Sequence, residues 1–164
     1  PLGNRFMVLE YNLIGEYDVS LDSKGRFRIP GALLKKLGNR DELEFVVNQG
    51  FDKCLTMYPQ PVWTEVKKEV DELSDLSPRH KTFKRIFYRG ANEVTPDSAD
   101  RILLPKRLQA YAEGEKTLIL CARNDRIEIW TEAAYDELLQ EALEDPAALA
   151  EELFGTPKEK TEGA

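Results

Sequence analysis

Asp22-Ser23-Lys24-Gly25-Arg26-Phe27-Arg28 sets three long cationic side chains on and just beyond a tight turn, which is chemistry suited to a polyanion. Arginine can bond O6 and N7 of one guanine together, and lysine is suited to phosphate. Alternation beyond the turn puts Arg26 and Arg28 on one face of a strand, with Phe27 turned to the core. A second reading stays open: Asp22 can hold Arg26 in a salt bridge, so that Arg26 shapes the turn as well as or instead of touching a ligand. The segment returns 75 residues later as Asp97-Ser98-Ala99-Asp100-Arg101-Ile102-Leu103. Lys24 and Arg28 have become Ala99 and Leu103, and Arg101 alone persists. Lys24, Arg26 and Arg28 are therefore the expected nucleic-acid contacts. Asp22, Gly25, Asp97 and Arg101 are the expected structural residues of the two turns.

Catalysis finds little support. His80 is the only histidine, so no Ser-His-Asp set has residues to spare, and it reads as a surface side chain. No Cys/His cluster has zinc spacing and no glycine-rich phosphate loop follows a strand. The expectation is no enzyme, no metal and no cofactor. Asp22 and Asp97 could form a carboxylate pair, but opening two turns explains both. Cys54 and Cys121 sit in apolar, strand-like runs without a CxxC pattern, and buried thiols in a reducing compartment are expected.

The net charge of −7 looks unsuited to DNA until it is located. Residues 131–164 contain ten acidic side chains against Lys158 and Lys160, whereas residues 1–130 are nearly balanced at +1. Screening confines what a partner feels to about 8–10 Å, so local clusters matter more than the total. A third reading uses the acidic segment after Asp145 to engage a protein, in the manner of an antitoxin.

The positioning elements follow from the same residues. Tyr17–Leu21 and Phe27–Ile29 read as strands flanking the first turn, where Asp opens and Gly supplies a positive φ. Asp100 replaces that glycine in the second copy and is expected to hold the turn in the left-handed region. Pro30 and Pro105 should each end a strand and open a short helix, Gly31–Leu37 and Lys106–Tyr111. Glu44–Asn48 with Lys53–Tyr58, and Lys116–Ala122 with Arg126–Trp130, read as hairpins. Val62, Val66, Val70 and Leu73 predict a helix to about Asp75. Ser77-Pro78 opens another that stops at Gly90, with Phe83 and Phe87 on one edge and Lys81, Arg85 and Arg89 opposite. That cationic row is a candidate phosphate contact or a solvated face. Tyr135, Leu138, Leu139 and Ala142 predict a C-terminal helix.

Taken in order, Gly15-Glu16-Tyr17, Leu21-Asp22-Ser23-Lys24-Gly25-Arg26, Tyr58-Pro59 with Trp63, the second Asp-x-x-x-Arg and Ile127-Glu128-Ile129-Trp130 resemble the MraZ family. The resemblance spans roughly Gly15 to Leu143. It implies an α+β fold: a pseudo-twofold swapped-hairpin β-barrel of two SpoVT/AbrB-like repeats, with flanking helices. It further implies a ring-like homo-oligomer of about eight subunits that binds direct repeats in the promoter of the division and cell-wall gene cluster. In the family the first loop's Lys and Arg touch double-stranded DNA, which falls here on Lys24 and Arg26. The departure is Asp100, where the family usually has glycine. The expected organisation is an N-terminal extension (1–14, with Met7 the expected start), repeat 1 (15–60), a helical linker (61–89), repeat 2 (90–132), a helical segment (133–154) and a disordered tail (155–164). No apolar stretch approaches the roughly 18 residues that span a bilayer, and no signal peptide is evident. The expected place is cytoplasmic and nucleoid-associated.

Overall fold

A computed structural model describes residues 11–155. The extension before residue 11 and the tail 156–164, with the expectations placed on them, lie outside the described residues. The chain divides into two compact units, Pro1–Glu132 and Ala133–Ala164.

In the first unit the order is β1 (Leu13–Ser20), β2 (Arg26–Arg28), α1 (Gly31–Leu37), a 3-10 turn (Arg40–Glu42), β3 (Phe45–Asn48), β4 (Leu55–Pro59), α2 (Gln60–Asp71) and α3 (Pro78–Phe87). It continues with β5 (Asn92–Val94), β6 (Arg101–Leu103), α4 (Lys106–Gln109), a 3-10 turn (Ala110–Ala112), β7 (Thr117–Asn124) and β8 (Arg126–Thr131). Six strands form an antiparallel sheet in the order β1-β7-β8-β4-β3-β5, and β2 pairs with β6 in a separate ribbon. The second unit holds most of α5 (Glu132–Ala142) and all of α6 (Pro146–Phe154).

The sheet order reads as a palindrome of the repeats. The first strand of each copy pairs with the hairpin of the other, β1 on β7 and β5 on β3, which is the swapped arrangement. The registers are images too: Val19 faces Leu118 as Val94 faces Phe45. At the centre Thr56 faces Glu128, flanked by Leu55–Ile129 and Met57–Ile127. In the ribbon Phe27 faces Ile102, its own counterpart. A pseudo-twofold axis therefore passes between Thr56 and Glu128 and between Phe27 and Ile102. Both copies contribute to one core, including Phe27, Ile29, Leu33, Phe45 and Leu55 from the first and Ile102, Leu104, Leu108, Leu118 and Ile127 from the second. Each such side chain contributes about 1.5–3 kcal/mol by leaving water.

Strand alternation gives the β3–β4 hairpin a second buried face. Phe45, Val47 and Met57 point to the shared core, while Val46 and Tyr58 lie under α2 and α3 with Val62, Trp63, Val70 and Phe87. Trp63 stacks on Phe87 at 4.8 Å and 3°. From the sequence, Tyr17, Phe51 and Trp63 are expected to leave apolar surface for oligomerisation. Trp63 does not qualify, because it is buried within its own chain, and Tyr17 is half-buried; only Phe51 is exposed. His80 is half-buried, not a surface side chain, and its backbone N–H donates to the capping Ser77 Oγ at 3.4 Å.

Candidate nucleic-acid interface

The two turns are built alike, atom for atom. In the first, the Asp22 N–H donates to the Arg26 carbonyl at 2.9 Å and the Gly25 N–H to the Asp22 carbonyl at 3.0 Å. Asp22 Oδ1 accepts the N–H groups of Lys24 and Arg26 at 3.0 and 2.9 Å, and Oδ2 accepts Arg26 Nε at 2.7 Å. In the second, Asp97 Oδ1 accepts the N–H groups of Ala99 and Arg101, both at 2.9 Å, and Oδ2 accepts Arg101 Nε at 2.8 Å. The Arg26 N–H bond is the largest cause holding the Asp22 carboxyl below its ordinary range, and the Arg101 N–H does the same for Asp97. The Asp–Arg pairing that the sequence left open is thus formed in both turns. Arg26 is part of the turn's framework, with its Nε committed and its two Nη groups outside that bond.

Gly25 and Asp100 both have positive φ, 81° and 60°. A side chain at Gly25 would meet Gln109 Cδ at 2.7 Å, and Gln109 is held there by donating to the Leu104 carbonyl at 2.8 Å. Asp100 can keep its side chain because Arg40 receives it. Arg40 Nε donates to Asp100 Oδ1, and Arg40 Nη2 donates to the Asp97 carbonyl at 2.6 Å. This brace is the clearest residue missed in the sequence. Its repeat counterpart is Glu115, so the repeat comparison itself gave no signal for it.

Charge separates the turns. Residues 22–28 carry Asp22 against Lys24, Arg26 and Arg28, a net +2; residues 97–103 carry Asp97 and Asp100 against Arg101, a net −1 that Arg40 cancels. Gly25 N–H geometry and the Leu104 N–H bond to the Gly25 carbonyl (3.0 Å) tie turn 1 to one end of the ribbon. The Ile29 N–H bond to the Asp100 carbonyl (2.9 Å) ties turn 2 to the other. Four residues of strand put them about 13 Å apart. Between them Phe27 and Ile102 point inward, so the outer face presents Arg26 beside Leu103 and Arg28 beside Arg101. Lys24 and Arg28 are exposed and, among the described residues, neither has a carboxylate partner. A two-stranded ribbon of this width is one of the elements a B-DNA major groove admits. Beside turn 1 lies an open groove of about 720 Å³ walled by Lys24, Arg26 and Lys106 and by Leu103–Pro105. Its repeat image, about 600 Å³, lies between β1 and Arg28–Gly31.

The other sequence candidates sit elsewhere. Lys81, Arg85 and Arg89 are exposed on and just beyond α3, whose buried Phe87 belongs to the second core cluster and not to the ribbon's. Neither cysteine is in a disulfide; Cys54 is buried and Cys121 half-buried. Among the described residues, the structure brings together a donor group that spacing did not reveal. Asp52, Cys54 and Glu128 place a thiol and two carboxylates within 4.8 Å. The Cys54 thiol donates to Glu128 Oε2 at 3.7 Å. Burial first, then the neighbouring carboxylates, push its ionisation up, so it serves as a protonated donor.

Comparison with known proteins agrees with the repeat. The family model described as "MraZ protein, putative antitoxin-like" matches twice, over residues 13–86 and 87–155. A "Transcriptional regulator MraZ" from Cytophaga hutchinsonii is 34% identical over 146 residues, 89% of this chain and 97% of its own. Proteins of the same name from Christiangramia forsetii and Halothermothrix orenii are 35% and 36% identical, covering 88% and 85% of this chain and 94% and 97% of theirs.

Proposed function

The chain belongs to the MraZ family, and from that premise we propose that it is a transcriptional regulator, not an enzyme, that binds double-stranded DNA sequence-specifically through turn 1 and the outer face of the β2–β6 ribbon. Lys24 and Arg28 take phosphate or base edges, and the Arg26 Nη groups add a contact while its Nε holds the turn. The observation that carries this reading is the asymmetry of two otherwise identical turns: one presents a net +2, the other is neutralised by Arg40. A structural repeat kept only for folding has no reason to load one turn with solvent-facing cations.

One such turn neutralises few phosphates and reads few bases, so useful affinity requires several turns held together. A homo-oligomer supplies them by raising the effective concentration of each later turn, and direct repeats in a promoter of the division and cell-wall gene cluster are its matched target. Binding there places the protein at the nucleoid. The test is a fluorescence-anisotropy titration against the duplex upstream of the chain's own gene, with a scrambled duplex as control. Preference for the upstream duplex by about 10³-fold or more is expected of a specific binder. Equal affinity for both duplexes rejects sequence-specific reading, and no binding to either rejects DNA.

A further inference from the structure

Three donor side chains meet where the β3–β4 hairpin runs beside β8. Asp52 and Cys54 come from the hairpin and Glu128 from β8, and their ligand atoms all lie within 4.8 Å of one another. The Cys54 thiol and Glu128 Oε2 are 3.7 Å apart across 74 residues of sequence, so no local spacing pairs them. Folding alone gives little reason for this group. Its two carboxylates crowd like charge and disfavour a thiolate beside them. The other repeat does without it. With Thr56 the pseudo-twofold counterpart of Glu128, Cys54 corresponds to Arg126 and Asp52 to Asn124, so the image holds neither thiol nor carboxylate at these positions.

The separations suit a tetrahedral divalent ion. Zinc sits about 2.3 Å from a thiolate sulfur and about 2.0–2.2 Å from a carboxylate oxygen, and a tetrahedral angle between those bonds puts sulfur and oxygen about 3.5–3.7 Å apart. Cys54 and Glu128 already have that spacing. Asp52 is exposed, so rotation of its side chain can bring the third ligand in. Cys54 is buried and Glu128 half-buried, which shields two of the three ligands from competing water.

Asn48 brings an unpartnered acceptor to the same space. It is 0% exposed; its Nδ2 donates to the Phe87 carbonyl at 2.9 Å, while its Oδ1 has no partner among the described residues. Asn48 faces Thr56, and Thr56 faces Glu128, on adjacent strands, so all three side chains leave the sheet on one face, and alternation adds Cys54. A Cβ at Gly50 would lie 3.9 Å from Asn48 Oδ1 and 3.6 Å from Thr56 Oγ1, so both oxygens open on the hollow enclosed by residues 49–54. We propose that Asp52, Cys54 and Glu128 bind one divalent ion of the zinc class, with water in the fourth position. The thiol proton leaves to solvent as the metal–sulfur bond forms, and the ion offsets the repulsion between the carboxylates. The metal-bound water, polarised by the ion, is the donor that Asn48 Oδ1 lacks. Bound there, the ion ties the β3–β4 hairpin of the first repeat to β8 of the second. The site does not depend on the DNA reading.

The experiment uses the full chain without DNA, kept reduced under inert gas and titrated with cobalt(II) alone as a spectroscopic stand-in for zinc. One equivalent per chain should raise a sulfur-to-cobalt charge-transfer band together with the visible bands of a tetrahedral ion, and added zinc should abolish both by displacement. Cys54→Ser should remove the charge-transfer band, and Cys121→Ser should leave it. Asp52→Asn and Glu128→Gln, each exchanging a carboxylate for its isosteric amide, should weaken cobalt binding by about tenfold or more. Circular dichroism checks that each protein is folded. Cys54 is buried, so the exposed Asp52 keeps the test decisive where Cys54→Ser does not fold. Absence of the band in the unaltered chain overturns the proposal, as does a band that Cys121→Ser removes and Cys54→Ser keeps. Cobalt binding unchanged in both carboxylate variants overturns it as well.

Discussion

Lys24→Ala should weaken DNA binding by an amount that the geometry allows to be worked out, and should leave the fold alone. Lys24 is exposed at the tip of turn 1 and contributes only its backbone N–H to Asp22, a bond alanine keeps. If two turns engage one duplex, with two or three cations each, about four to six phosphates are neutralised. At about 0.9 per phosphate, log K against log salt should fall with a slope between about −3.6 and −5.4. Removing Lys24 from both turns takes away two contacts, so the slope should drop to between about −1.8 and −3.6. At about 0.1 M salt each contact is worth about 0.9 of a decade, so affinity should fall roughly sixtyfold. A lysine on phosphate does not read sequence, so the scrambled duplex should lose the same factor. The assay is an anisotropy titration at four salt concentrations for both proteins, with melting temperatures measured alongside. Parallel salt slopes would refute the reasoning, because they would mean that turn 1 does not release counterions from DNA.

Arg101→Ala should do the reverse: it removes the bond to Asp97 Oδ2 in a turn that already holds Asp100 at positive φ, so the melting temperature should fall while the affinity of the folded protein for duplex changes little. Acid should loosen both turns together. The Asp22 and Asp97 carboxyls ionise below their ordinary range in the folded chain, so their contribution is complete above about pH 4 and is lost as pH falls through the lowered values. A chain carrying Asp22→Asn and Asp97→Asn should be less stable at neutral pH and show a flatter acid limb in a pH series of denaturant melts. Trp63→Ala empties the space between Tyr58 and Phe87 and should cost about 3–5 kcal/mol in urea unfolding, with α3 loosened on the sheet.

The repeat made much of this architecture legible. Asp22 and Asp97 mark turns because aspartate bonds the N–H groups two and four residues on, a local pattern that spacing alone reveals. Gly31–Leu37 starts and ends where the proline and the following glycine set it. The helices over 60–71 and 78–87 followed from the valine period and from Ser77-Pro78. The swapped pairing across the pseudo-axis is implied by the family resemblance and not by spacing, which does not reveal which strands meet. That β1 lies on β7, and that Arg28 ends up opposite Arg101, depends on strand exchange between copies 75 residues apart. Arg40 shows the same limit. It lies in a short 3-10 turn with no repeat counterpart of its own charge, and its function arises only where that turn meets the second loop. Trp63 shows the converse: expected as apolar surface beyond the needs of two half-barrels, it is buried because α3 returns to the sheet and stacks Phe87 on it.

The divergence of the two turns is best understood as a consequence of fusing both halves into one chain. A symmetric pair built from identical chains must present two identical turns, so any residue that suits DNA at one must be carried at the other. Here the halves vary separately. The second turn has Ala99 and Leu103 where the first has Lys24 and Arg28, and Asp100 where the first has glycine, which is tolerable in the left-handed region and is held by Arg40. Every hydrogen bond of the Asp-x-x-x-Arg frame is present in both, so the second turn closes the ribbon at its far end. Folding therefore constrains the Asp and the Arg in both copies, and leaves the positions between and after them to the surface. The exposed cations of turn 1 occupy those unconstrained positions, which is why Lys24 and Arg28, and not the better-bonded Arg26 or Arg101, are where loss of charge should alter binding without altering the fold.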